Sequence, residues 1–191
     1  MRARLHLTQD AAADALLSDD PFALLVGMLL DQQMPMERAF AGPALLRERL
    51  GGFDAAAIAA MDPADFIEVC AGPPAVHRYP ASMGARIHAL AGYVRDQFGG
   101  DAAAVWRDAT DGADLRHRLQ ELPGYGPHKA QVLVALLGKQ LEVTPSGWRE
   151  AAGPYGEAGS YRSIADVVDS ASLAKVRSYK QETKRAARQQ R

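Results

Sequence analysis

Leu122-Pro123-Gly124-Tyr125-Gly126-Pro127-His128-Lys129-Ala130 joins two stretches of helical periodicity. Before it, residues 113–121 carry Leu115 and Leu119 four apart, the spacing of one face of a short helix. After it, residues 127–137 bring Val132, Val134, Leu136 and Leu137 to a buried side. Pro127 suits a first helical position, where no N–H partner is required. Two glycines around one apolar residue permit a tight reversal with positive φ and leave no side chain over the backbone. Free N–H groups at such a turn, next to a helix start, make an anion site.

The pattern is that of a helix-hairpin-helix, for which the obvious anion is a nucleic-acid phosphate. A plain helix–helix connection with a glycine stop is the alternative reading of the same residues.

Working outward, the next informative stretch is Asp20-Pro21-Phe22-Ala23-Leu24-Leu25-Val26-Gly27-Met28-Leu29-Leu30. An aspartate cap and a proline at the first position begin it, and it is apolar on nearly every face, so it is central and buried. It runs straight into Asp31-Gln32-Gln33-Met34-Pro35. Polar residues directly after the most buried helix are a local inconsistency of the kind that marks function, with ordinary exposed helix-end residues as the alternative.

Further helices are expected over residues 8–17, 36–50 (with Pro43 as a candidate break), 54–60, 62–70, 82–98, 101–106, 161–168 and 173–188. Val143 to Gly147 reads as an irregular turn, and no period-2 alternation is long enough for a sheet. The fold class is therefore all-α. One cysteine, Cys70, excludes a disulfide framework and any four-cysteine cluster within the chain. No apolar run is long enough to span a bilayer, and Met1-Arg2-Ala3-Arg4 does not begin a signal peptide, so a cytoplasmic location is expected. The net charge of -1 divides unevenly: residues 1–100 carry 8 basic and 12 acidic side chains, residues 101–191 carry 14 and 11. Seven basic residues and the single acid Glu182 lie between Lys175 and Arg191, as in a solvated tail or a phosphate-binding arm.

The hairpin, the Gln33 segment and the helix order together resemble the helix-hairpin-helix DNA glycosylase superfamily, of which endonuclease III is the best-known member. Asp20 through Gln33 is similar to that family's first barrel helix and following glutamine, and Leu122-Pro123-Gly124-Tyr125-Gly126 to its hairpin. Glu142-Val143-Thr144-Pro145-Ser146-Gly147-Trp148-Arg149 falls where the family carries its Val-Asp-Thr-His segment, with Arg149 in an arginine slot. The resemblance implies two helical lobes: residues 20–131 with the hairpin, and residues 1–19 plus 132–191 with the basic tail. It implies double-stranded, damaged DNA as partner, no membrane, a monomer, a nucleoid-associated location, and a base taken out of the stack.

On this resemblance Gly124, Tyr125, Gly126, His128 and Lys129 contact DNA, and Gln33 fills the gap left by the extruded base. Met34 or Met36 either wedges nearby or packs against the next helix. Thr144, or Pro145 with a shifted gap, stands in the family's catalytic aspartate slot, and His128 stands in the slot of its Schiff-base lysine. Lys129, about 100° further round the helix, faces elsewhere, as a phosphate contact or a solvated charge. Asp31, Glu142 and His128 are the candidate replacements for the missing acid. No cofactor is expected, the iron–sulfur cluster of many members being absent. The functions left open are a monofunctional N-glycosylase, a non-cutting module for distorted DNA, and an accessory module of another DNA-processing complex.

The tail supplies a test at this level. Deleting residues 184–191 should flatten the slope of log affinity for duplex against log salt, since phosphate neutralisation releases counterions. An unchanged slope would make the tail a bystander.

Overall fold

The computed structural model describes residues 4–189. The start Met1–Ala3 and tail residues 190 and 191, which entered the sequence reading, lie outside them. Eleven α-helices and two 3-10 turns make up the described residues, with no strand among them. The all-α expectation is met. Among the described residues no helix is long and apolar enough to cross a membrane.

The chain begins with α1 (Ala11–Asp19), capped by the Asp10 carboxylate on two backbone N–H groups. The second helix, α2 (Pro21–Leu30), is capped by Asp20, which accepts from Phe22 N (2.9 Å) and Ala23 N (3.1 Å). Every residue of α2 from Phe22 to Leu30 is buried. It packs against α3 (Met36–Leu50), which runs unbroken through Pro43. Next come α4 (Ala55–Ala60), α5 (Pro63–Ala71) and α6 (Pro80–Phe98), with α4 and α5 both lying on α6. A short α7 (Ala104–Arg107) leads to the hairpin pair α8 (Gly112–Glu121) and α9 (Pro127–Gln140).

Beyond α9 the reading and the structure part. Trp148–Ala152 forms α10, which the sequence pattern did not indicate, followed by a 3-10 turn at Gly153–Gly156. The helix expected over 161–168 is only a 3-10 turn, Ile164–Asp166. The physical reason is Asp166: its carboxylate accepts from Arg162 N, Ser163 N, Ser160 Oγ and Lys139 Nζ. That competing set of bonds holds the backbone in a turn and ties it to α9. The last helix, α11 (Ser170–Gln189), buries only Ser172, Leu173 and Val176.

The packing runs across the expected boundaries at residues 19 and 131: α1 lies on α2 and α3, while α9 packs with α8, α10 and both 3-10 turns. One continuous apolar core joins them, from Leu5 to Val176, with Ala130 and Val132–Leu137 of α9 inside it.

The hairpin's two glycines differ in what they do. Gly124 has φ +84°, and a Cβ there would lie 2.4 Å from Cδ1 of the buried Leu29. Gly126 has an ordinary extended backbone and nothing within 4 Å of a built Cβ. Gly124→Ala should therefore cost about 1–3 kcal/mol through backbone strain and displacement of Leu29. Gly126→Ala should cost under about 1 kcal/mol, as a change of helix cap. Urea unfolding measures both; equal losses would contradict this division of roles.

Candidate functional site

The C-terminal end of α2 meets the hairpin. An α-helix ends with carbonyls that have no partner within it, and here that end is buried. Gly27 O accepts from Asp31 N (3.1 Å), and Leu30 O from Gln32 N (2.7 Å). Leu29 O accepts from Gln32 Nε2 (2.9 Å). The Lys129 ammonium donates to Met28 O and, at 3.4 Å, to Leu29 O. One turn earlier the buried Tyr125 hydroxyl donates to Leu25 O at 2.6 Å.

Two of the residues expected at the DNA contact have side chains turned into the protein. Tyr125 is 6% exposed, and its side chain anchors the hairpin on α2. Lys129 does face away from His128, as the helix geometry requires, but into the protein and not into solvent. Burial pushes the Lys129 ammonium down to about 8 from its ordinary 10.5; the Asp31 charge opposes this, and Arg86 and Lys180 add to it.

The chain leaves α2 through a tight turn at Asp31 (φ -72°, ψ 70°), an inverse γ-turn closed by the Gln32 N to Leu30 O bond. Gln33 follows in the left-handed region, φ 56°, which costs a non-glycine residue on the order of 1–2 kcal/mol. It is exposed, and its side-chain amide has no partner among the described residues. Met34 is half-buried against the core and Met36 is 7% exposed, so packing is the role of Met36.

Asp31 and His128 come together in one cleft of about 380 Å³. Its inner side includes Val132 of α9, Tyr155 of the first 3-10 turn and Ile164 of the second. Its outer side is α11, through Tyr179, Lys180, Thr183, Lys184 and Ala187. The His128 and Tyr155 rings meet edge to face with centroids 5.4 Å apart. Burial, and then the neighbouring Tyr179, push the Tyr155 hydroxyl up. Arg162 also borders the cleft, paired at 2.7 Å with Glu157 outside it. Asp31 is the one carboxylate among the lining residues, against the cations of Arg162, Lys180 and Lys184.

The remaining sequence candidates stand apart. Glu142 (φ 59°) and Thr144 are exposed on the turn after α9, and neither lines the cleft. Arg149 donates to Gly156 O at 2.8 Å and stacks on Trp148. Among the described residues no cluster of His, Cys, Asp and Glu could hold a metal ion. A larger hollow of about 540 Å³ beside Asp19, Asp20 and Arg47 takes no residue from the hairpin or from the 31–35 loop.

No family model, curated protein or solved structure matches the chain.

Sequence reasoning missed Tyr155, Arg162 and Tyr179. Tyr155 had a signal, in the Gly153-Pro154-Tyr155-Gly156 run that echoes the hairpin's own glycine-flanked tyrosine. Helix α11, which covers the helix expected over 173–188 with its basic run, forms the cleft's outer wall. Beyond Val176 its described residues are all exposed, and the Arg177 guanidinium pairs with Glu37 in the first turn of α3.

The buried amine yields a pH prediction. A lysine whose folded pKa is depressed binds fewer protons folded than unfolded between those two values, so stability rises with pH in that window. Relative to Lys129→Met, wild-type protein should gain stability from about pH 8 toward 10.5 and lose that gain as pH falls through 8. Urea titrations at stepped pH test it, and parallel curves for the two proteins would contradict the burial of the amine.

Proposed function

We propose that this chain binds damaged duplex DNA and holds one nucleotide out of the stack, in the manner of a base-excision protein. The observation that carries the reading is the meeting of Asp31 and His128 in one cleft, next to the exposed Gln33 and under a basic helix. Each part has a task. The N-terminus of α9 begins at Gly126 with no side-chain cap, and a phosphate there would accept from its free N–H groups. Gln33 enters the space that the extruded base vacates. Tyr155 and Tyr179 offer ring faces for a base, worth on the order of 1–3 kcal/mol per stacked base. Lys180 and Lys184 draw the phosphates on either side. Together these offset the few kcal/mol of unstacking, which is least for a damaged or mispaired base.

Base removal is the chemistry to test in this cleft. The Asp31 carboxylate would stabilise the positive charge that develops on the sugar as the C1′–N bond breaks. The base leaves with the C1′–N electron pair, water adds at C1′, and His128, which lines the same cleft, would take the water's proton and pass it to the departing base. This is the monofunctional route, with no covalent enzyme intermediate. The alternative is a protein that recognises distorted DNA without cutting it. It is favoured by the exposed Thr144 and by His128, which stand in the two slots on which the resembled family's chemistry depends.

Three measurements separate these outcomes. Binding to a duplex with an abasic-site analogue should exceed binding to undamaged duplex in fluorescence anisotropy; equal affinities would refute the reading. Gly126→Val should weaken binding to all duplexes alike, because the added side chain meets open space in the protein and would obstruct only the DNA. In a lesion-panel assay, excision that is lost with Asp31→Asn would establish the enzyme, whereas no excision by wild type would leave the binding module.

A further inference from the structure

A buried histidine lies directly behind the 31–35 loop. His77 is 1% exposed and uses both ring nitrogens. The Tyr79 backbone N–H donates to Nδ1 at 3.0 Å, so Nδ1 carries no proton. Nε2 then carries it and donates to Gln32 O at 2.8 Å. This oxygen belongs to the peptide bond that leads into Gln33.

The segment that carries His77 is held in place. Arg49 donates to Val69 O (2.8 Å) and Pro74 O (2.7 Å), and Arg38 donates to Ala75 O (3.2 Å). Val76 N donates to Cys70 O at 3.0 Å. The imidazole is thus a fixed post between α5, α6 and the loop. On the other side, Gln32 Nε2 is occupied by Leu29 O. Gln32 is gripped by its side chain from α2 and by its carbonyl from His77. The next residue, Gln33, is left-handed and exposed.

We propose that His77 is the positioning residue of Gln33: its Nε2–H bond to Gln32 O fixes the strained backbone that presents the Gln33 amide to DNA. The proposal rests on the base-extrusion reading for its consequence, and on the loop geometry alone for its mechanism. The two parts therefore have separate readouts. His77→Gln retains an N–H donor at about the reach of Nε2, whereas His77→Leu retains only the volume.

The experiment compares wild type, His77→Leu, His77→Gln and Gln33→Ala by hydrogen exchange and by DNA binding. In His77→Leu the hydrogen-bonded amides of Asp31 and Gln32 should exchange about tenfold faster, with protection across α6 and α9 unchanged. The ratio of abasic-analogue to undamaged affinity should fall as far as it does in Gln33→Ala, and undamaged affinity should hold. Adding Gln33→Ala to His77→Leu should lower the ratio no further, since both act through one side chain. His77→Gln should restore most of the ratio. Wild-type exchange at Asp31 and Gln32 in His77→Leu would overturn the proposal, as would lost protection spread through α6 and α9, which marks a merely structural residue. A wild-type protein without lesion preference would refute base extrusion, and exchange at Asp31 and Gln32 would still report whether His77 holds the loop.

Discussion

The C-terminus of α2 is a buried helix end, and its satisfaction organises the molecule. Unpaired carbonyls inside a protein cost on the order of 1–3 kcal/mol each. The chain meets that demand from the hairpin, about a hundred residues away: the Lys129 ammonium donates to Met28 O and Leu29 O, and the Tyr125 hydroxyl adds a second bond to Leu25 O one turn earlier in the helix. A cation at this place also complements the negative end of the helix dipole. These bonds set the register between two elements that share no local sequence. They bring His128, on the outer side of the same helical turn, to the cleft that Asp31 lines.

Polar groups gather where the core stops. Leu30 is fully buried and Gln33 is exposed, so the chain crosses from interior to solvent within three residues. It does so through a γ-turn at Asp31 and a left-handed residue at Gln33. The opposite wall is built differently. Past Val176, α11 buries nothing, and its cations face the cleft from a helix held to the body at its near end by Arg177 and Glu37. The cleft thus has one wall set by core packing and one set by surface electrostatics. Salt should act on the second far more than on the first.

Much of this fold is legible in the sequence because its signals are local. Asp20-Pro21 and Asp62-Pro63 announce helix starts, and both aspartates cap as expected. Met36–Leu50 has the predicted bounds, and Pro43 sits within the helix without ending it. What could not be read depends on contacts between distant residues. Trp148–Ala152 is too short to be stable alone; its helix forms with the Trp148 ring lying on Gly138, where a Cβ would come within 2.3 Å of it. Residues 161–168 have helical composition, but Asp166 and Lys139 hold them as a turn.

The candidate site divides in the same way. Helical geometry correctly separates Lys129 from His128 around α9, but only the position of α2 decides that Lys129 points inward. Asp31 and Glu142 look alike in the sequence, each an acid near a helix end. Docking of the hairpin on α2 brings Asp31 into the cleft and leaves Glu142 exposed on a turn outside it. The central claim is that this cleft receives a nucleotide drawn out of the duplex. A duplex carrying 2-aminopurine in a mismatch reads this directly, because the base fluoresces more when it leaves the stack. Saturating protein should raise its emission several-fold, and Gln33→Ala should reduce that rise at matched occupancy. Full binding by anisotropy with unchanged 2-aminopurine emission would contradict the account.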